Sequence, residues 1–174
     1  MDAAELRERI AQIDGGELTG SPRWHPFSVV FPNLNSRTIL YTTKPAVLAR
    51  LFDSSDAEPP PGIIGRYGLP SDEDVAGIAR SSQGCSLFFL GDCDPFDLLV
   101  FAWLKCHLPI RFLGISDAVI SAVGVAVDDR MTLPFREEDH GAMPLLREAW
   151  PAYAESLGPN CARLLEDGHP LELE

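Results

Sequence analysis

The sequence predicts an α/β fold, with a mostly parallel central sheet and helices on both faces. Three observations predict it. Strand-like and helix-like segments alternate from about residue 37 to residue 127, the pattern of successive βαβ units. Leu87-Phe88-Phe89-Leu90 is a run of bulky apolar residues without polar alternation, which reads as a strand buried on both faces inside a parallel sheet. Phe96–Cys106 is apolar nearly all round, as expected of a helix deep in a core.

Taken in order, residues 2–13 form an amphipathic helix with Leu6, Ile10 and Ile13 on one face, ended by Asp14-Gly15-Gly16. Residues 14–26 are turn-rich and hold Trp24, His25 and Pro26. Phe27–Phe31 reads as a strand and Pro32-Asn33-Leu34-Asn35 as a turn. Arg37–Thr42 is a strand and Ala46–Phe52 a helix, followed by an acidic, proline-rich surface loop over 53–61. Gly62–Gly65 is a short strand, and Ser71–Arg80 a helix capped by Ser71 or Asp72. After the apolar strand Ser86–Leu90 and the apolar helix comes another strand, Ile110–Ile115. Val119–Val127 holds only small and β-branched residues, which leaves helix and strand both open. The last 40 residues are helical, with breaks at Pro144, Pro151 and Gly158-Pro159.

At 174 residues the chain is one domain or one domain with an appendage. The division read here is an N-terminal helix and extension over 1–36 and a domain with C-terminal helices over 37–174. No apolar stretch approaches a membrane span, and the acidic amphipathic start is unlike a signal peptide, so a cytoplasmic protein without a membrane partner is expected. The net charge is −12, with only two lysines, Lys44 and Lys105, and arginines scattered singly. Autonomous duplex binding relies on a basic face that releases counterions, so nucleic acid is expected to bind only weakly or through a partner.

Cys85, Cys93, Cys106 and Cys161 form no C-x-x-C pair and read as free thiols, mostly buried. Cys93, between two aspartates, could be exposed, but acidic neighbours disfavour its thiolate. His25, His107, His140 and His169 lack metal-ligand spacing, and no P-loop, GxGxxG or G-x-S-x-G motif occurs. Arg136-Glu137-Glu138-Asp139 reads as a solvated first turn of a helix, and Trp24, Trp103 and Trp150 as core.

The chemistry-bearing motif is Gly91-Asp92-Cys93-Asp94-Pro95, directly after the apolar strand. Pro95 suits the first turn of a helix with Asp94 as its cap. Asp92 and Asp94 then stand at the carboxyl end of a central strand, where open α/β sheets place ligands. Carboxylates two apart can converge on one Mg2+, which takes hard oxygen ligands and often only one or two from protein. The bland alternative is that Asp94 only caps the helix and Asp92 only ends the strand. An α/β phosphatase or sugar-nucleotide transferase with a D-x-D metal site is a further alternative. A haloacid dehalogenase-type phosphatase is expected to carry a threonine two places after its second aspartate, and none stands there here.

The order of elements, with Asp92-Cys93-Asp94-Pro95 after the third strand, resembles a toprim domain, in particular the toprim half of the topoisomerase VI A subunit and its meiotic double-strand-break relatives. That family carries D-x-D-P-x-G entering a helix; here the run is Asp92-Cys93-Asp94-Pro95-Phe96-Asp97, with Asp97 at the family glycine. His107–Ile115 is similar to the family's Leu-Gly strand, Ile39–Val47 to its first strand, Gly65–Pro70 to its second strand and turn, and Leu164–His169 to its closing helix. The likeness covers roughly residues 37–174. It implies a toprim-like fold with Mg2+ held by Asp92 and Asp94. The family's glutamate ligand is matched here by Thr43, and Asp97 is the candidate third carboxylate, placed one turn below the site.

The family's cleaving tyrosine lies in a winged-helix domain that would need more chain than precedes residue 37. Tyr41 and Tyr153 read as structural and Tyr67 as a loop aromatic. The resemblance therefore implies a divergent, stand-alone toprim-like protein without strand cleavage: an interaction or phosphate- and metal-binding module, whose protein partner supplies winged-helix or ATPase function. The alternative is a Mg-dependent phosphoryl-transfer enzyme, of nuclease or nucleotidyl-transfer type, using Asp92 and Asp94.

Overall fold

The computed structural model describes residues 1–15, 28–30, 36–44, 61–66, 68–127 and 131–172, with 28–30 described as backbone only. The expected helix over 46–52, the turn over 32–35, most of the proline-rich loop, Trp24, His25 and Tyr67 lie outside the described residues.

Five strands form one sheet: β1 (Ser28–Val30), β2 (Thr38–Thr42), β3 (Gly62–Gly65), β4 (Ser86–Leu90) and β5 (Ile110–Phe112), in the order β1-β3-β2-β4-β5. β2 to β5 are parallel, and β1 joins the edge antiparallel to β3. The described helices are α1 (Ala3–Ile13), α2 (Asp72–Ser81), α3 (Pro95–Lys105), α4 (Asp117–Val123), α5 (Glu137–Ala149), α6 (Tyr153–Leu157) and α7 (Pro159–Glu166). This is the α/β class with a mostly parallel sheet that strand and helix alternation predicts. None of the described helices is long and apolar enough to cross a membrane.

Local chemistry sets most boundaries. Asp2 caps α1 through the Glu5 amide. Ser71 and Asp74 form a reciprocal capping box at the start of α2. Asp94 caps α3, with Pro95 at its first position. Of the segment that left helix and strand open, 119–123 falls in α4, capped by Ser116 and ended at Gly124 with φ +69°, a left-handed turn that glycine adopts without strain, and 124–127 is neither helix nor strand. The Asp117 carboxylate accepts the backbone N–H groups of Asn160 and Cys161, each at 2.9 Å, and so ties the start of α4 to that of α7.

The core corrects the reading of β4 as buried on both faces. Leu87 and Phe89 are buried, whereas Phe88 and Leu90 are half-buried. The Phe89 ring lies 5.9 Å from Tyr41 and 6.3 Å from Phe112 on the neighbouring strands, and 5.5 Å from Phe101 of α3. Phe101 in turn meets Trp150 at 4.7 Å. Phe88, on the other face, lies under the Arg111 guanidinium at 4.4 Å. A ring beneath a guanidinium and a ring in a core are equally apolar letters, which is why the run showed no alternation.

Every residue of α3 from Pro95 to Leu104 is buried, as its all-round apolarity predicts. α1 and α5 pack on it, with Leu6 and Ile10 in the core and the Trp103 indole N–H donating to the Ala3 carbonyl at 3.0 Å. Pro151 and Gly158-Pro159 divide the C-terminal helices as expected, but Pro144 does not. It sits inside α5, where the burial of Ala142, Met143, Leu145 and Leu146 outweighs the one backbone hydrogen bond a proline removes.

Candidate metal centre

β2 and β4 are neighbours, and the chain leaves them in opposite directions: from β2 toward β3, and from β4 toward β5. The crevice at the carboxyl ends of such a strand pair is where open α/β sheets bind ligands. The register makes these ends level, since Thr42 lies opposite both Gly65 and Leu90. Thr43-Lys44 after β2, Arg66 after β3 and Asp92-Cys93-Asp94 after β4 therefore meet at one edge.

Asp92, Asp94 and Asp97 each place a carboxylate oxygen within 4.8 Å of the others. Asp92 has no solvent exposure, Asp97 is buried and Asp94 half-buried. Asp94 does cap α3: one oxygen accepts the backbone N–H groups of Phe96 at 2.8 Å and Asp97 at 3.0 Å. The capping and ligand readings are compatible, because the hydrogen bonds of the cap engage Oδ1 while an Asp94 carboxylate oxygen lies within 4.8 Å of the other two acids. Asp97 is not a turn below the site. Its Oδ2 accepts the Asp92 backbone N–H at 2.8 Å and the Thr43 hydroxyl at 2.8 Å.

Gly91 makes that approach possible. A Cβ at this position would lie 2.8 Å from Asp97 Oδ2 and 2.4 Å from the Phe89 ring, so no larger residue fits without moving the carboxylate. The loop is held from the other side by paired backbone hydrogen bonds between Cys93 and Leu171, at 2.9 and 3.2 Å. Cys93 is accordingly buried rather than exposed, facing the Cys161 carbonyl at 3.9 Å, and a hydrogen bond with the Cys161 side chain, then burial, raises its pKa. Cys161 is also buried, Cys85 is half-buried and Cys106 is exposed.

The residue that sequence reasoning missed is Lys44. Its ammonium lies 2.7 Å from Asp92 Oδ2. The only signal was its position, immediately after Thr43 at the end of β2. Burial acts to lower the Lys44 pKa, but the hydrogen bond to Asp92 and the charges of Asp92, Asp97 and Asp94 outweigh it and hold the pKa above the ordinary lysine range. For the acids the balance is reversed. Burial, then the Asp92 charge, pushes Asp97 up to about 6 against the pull of the Asp92 amide, Thr43 and Lys44. Burial and the charges of Asp97 and Asp92 raise Asp94 well above the usual carboxylate range. Three carboxylates share a poorly hydrated space with one cation, a surplus of negative charge that a hard divalent ion relieves. The oxygen-only donor set fits such an ion, and Asp92, Asp94 and Asp97 together could hold one.

A cavity of about 310 Å3 adjoins the cluster, lined by Lys44, Asp94, Arg136, Asp139 and Glu172 among others. Asp139 was expected on a solvated turn; it is buried, and its carboxylate accepts the Arg136 backbone N–H at 2.8 Å at the start of α5. Tyr41 and Tyr153 are buried in the core, in keeping with structural roles, and burial raises the Tyr41 pKa. His107, His140 and His169 are exposed and outside the cluster. Compared with protein-family models and with curated proteins, the chain finds no match.

Proposed function

We propose that this protein is a divergent toprim-like module that binds Mg2+ through Asp92, Asp94 and Asp97 and engages a phosphate-bearing partner there, without cleaving strands itself. The observation that carries the reading is the contact between the two positions that depart from the topoisomerase VI A-like pattern. Thr43 stands where the family has its glutamate, Asp97 where it has its glycine, and the Thr43 hydroxyl donates to the Asp97 carboxylate at 2.8 Å. The Asp97 carboxylate, from the first turn of α3, thus stands against the end of β2, where the resemblance implies a glutamate. A D-x-D-P run after the third parallel strand, at the crevice beside β2, supports the same reading.

Bound Mg2+ would supply a fixed positive charge for phosphate oxygens. This chain's own residues do the rest: the Asp94 cap and the Asp92 amide orient the acids, the Cys93–Leu171 pairing fixes the loop, and Lys44 balances Asp92.

Calorimetric titration of Mg2+ or Mn2+ into the wild type and an Asp92→Asn/Asp94→Asn double variant tests the reading. A site in the wild type only is expected; identical titrations would remove the metal from the account. Incubation with supercoiled plasmid and Mg2+ is expected to leave it intact. Metal-dependent nicking lost in the double variant would favour the alternative, a phosphoryl-transfer enzyme using Asp92 and Asp94.

A further inference from the structure

Resting on the metal reading above, we propose that Lys44 makes divalent-cation binding conditional on a phosphate-class anion that draws its ammonium off Asp92 into the adjoining cavity. Three observations carry this. First, the Lys44 ammonium is bound to Asp92 Oδ2 at 2.7 Å, and Asp92 has no exposure. A dication bound by the three acids would lie within a few ångströms of that ammonium, and the two repel. Second, Lys44 has somewhere to go. It is partly exposed, and it lines the same cavity as Arg136 and Asp94. An anion in that cavity can take the ammonium while one of its oxygens faces the ion held by Asp94.

Third, the cavity does not suit an anion alone. The charged residues lining it are Lys44 and Arg136 against Asp94, Asp139 and Glu172, a net negative surface. A cation on the cluster reverses that sign locally. Each ligand thus removes an obstacle to the other, and by thermodynamic linkage the two affinities must rise by the same factor. Lys44 acts as a tethered stand-in cation, and the site takes metal and phosphate together rather than either one alone.

The test is calorimetry of Mg2+ binding to the full chain, with and without inorganic phosphate, for the wild type, Lys44→Met and Arg136→Ala. In the wild type phosphate should strengthen Mg2+ binding about tenfold, and Mg2+ should strengthen phosphate binding equally. In Lys44→Met, Mg2+ alone should bind about tenfold tighter than in the wild type, with the phosphate effect lost. That variant leaves a buried carboxylate without its counterion, so its melting temperature should fall and recover with Mg2+. Arg136, which lines the cavity and is mostly exposed, gives a second variant that leaves the Lys44–Asp92 pair in place, and Arg136→Ala should reduce the phosphate effect several-fold. Dimethyl phosphate in place of inorganic phosphate separates the sources: an effect from both assigns a phosphodiester, and an effect from inorganic phosphate alone a terminal phosphate. Mg2+ affinity that is unchanged or weaker in Lys44→Met, or insensitive to phosphate in the wild type, would overturn the role of Lys44 and leave the metal site standing. No Mg2+ binding by wild type, Lys44→Met or Arg136→Ala would overturn the metal reading itself.

Discussion

The Thr43 hydroxyl donates a 2.8 Å hydrogen bond to Asp97 Oδ2 across 54 residues of sequence, joining the end of β2 to the first turn of α3. Thr43 and Asp97 are both buried, so the bond stands in a poorly hydrated space where a lost donor is not replaced by water. Thr43→Val keeps the shape and removes the donor. It should cost about 1–2 kcal/mol, read from urea unfolding. Because the hydroxyl holds the Asp97 pKa down, the same variant should raise it, which carboxyl NMR titration would register; an unmoved titration would mean that the bond is absent in solution.

The raised Asp97 pKa has a definite sign for stability. The folded state binds the proton more tightly than the unfolded chain, so between its ordinary value of 3.8 and about 6 folding takes up a proton. This group's contribution is therefore fully present below pH 4 and is lost as pH rises through 6. Relative to Asp97→Asn, the wild type should lose on the order of 2–3 kcal/mol of stability across that window in metal-free buffer. Chemical denaturation at pH 4, 5, 6 and 7 measures the difference, and Mg2+ should flatten it.

Gly91→Ala should be disproportionately harmful for one methyl group. Its Cβ would lie 2.4 Å from the Phe89 ring and 2.8 Å from Asp97 Oδ2, and the ring is held in the core by Tyr41, Phe101 and Phe112. A cost of about 1–3 kcal/mol is expected from overpacking. Mg2+ affinity should fall as well, because the carboxylate is the more movable neighbour. Unchanged metal binding in a folded Gly91→Ala protein would contradict the placement of Asp97.

Arg66 follows β3, is 5% exposed and pairs with Asp74, the same residue that closes the capping box of α2. Burial lowers its pKa, so the pair holds a charge that the interior disfavours. Asp74→Asn leaves that charge unbalanced and should cost about 3–5 kcal/mol. Combining it with Arg66→Met should restore much of the loss, which a double-mutant cycle by thermal and urea unfolding would show.

Much of the architecture is legible in local pattern. Ser71, and Asp94 with Pro95, mark helix starts because capping is a matter of neighbours within a few residues. The apolarity of α3 announces its depth. Local pattern misleads where a distant group changes the meaning of a residue. Phe88 is covered by Arg111, Pro144 is carried by the packing of α5, and Asp139 turns inward to accept the Arg136 backbone N–H.

By itself, then, the sequence determined an α/β chain whose Asp92-Cys93-Asp94 stands between a central parallel strand and a buried helix, since apolar runs, caps and proline act over a few residues. Only the tertiary structure decided that Thr43, Lys44 and Asp97 meet Asp92, that Cys93 faces inward, and that a cavity opens beside them. Those contacts follow from the strand order β3-β2-β4 and the level register of Thr42 with Leu90, which couple residues about fifty apart. No short window of sequence carries that information.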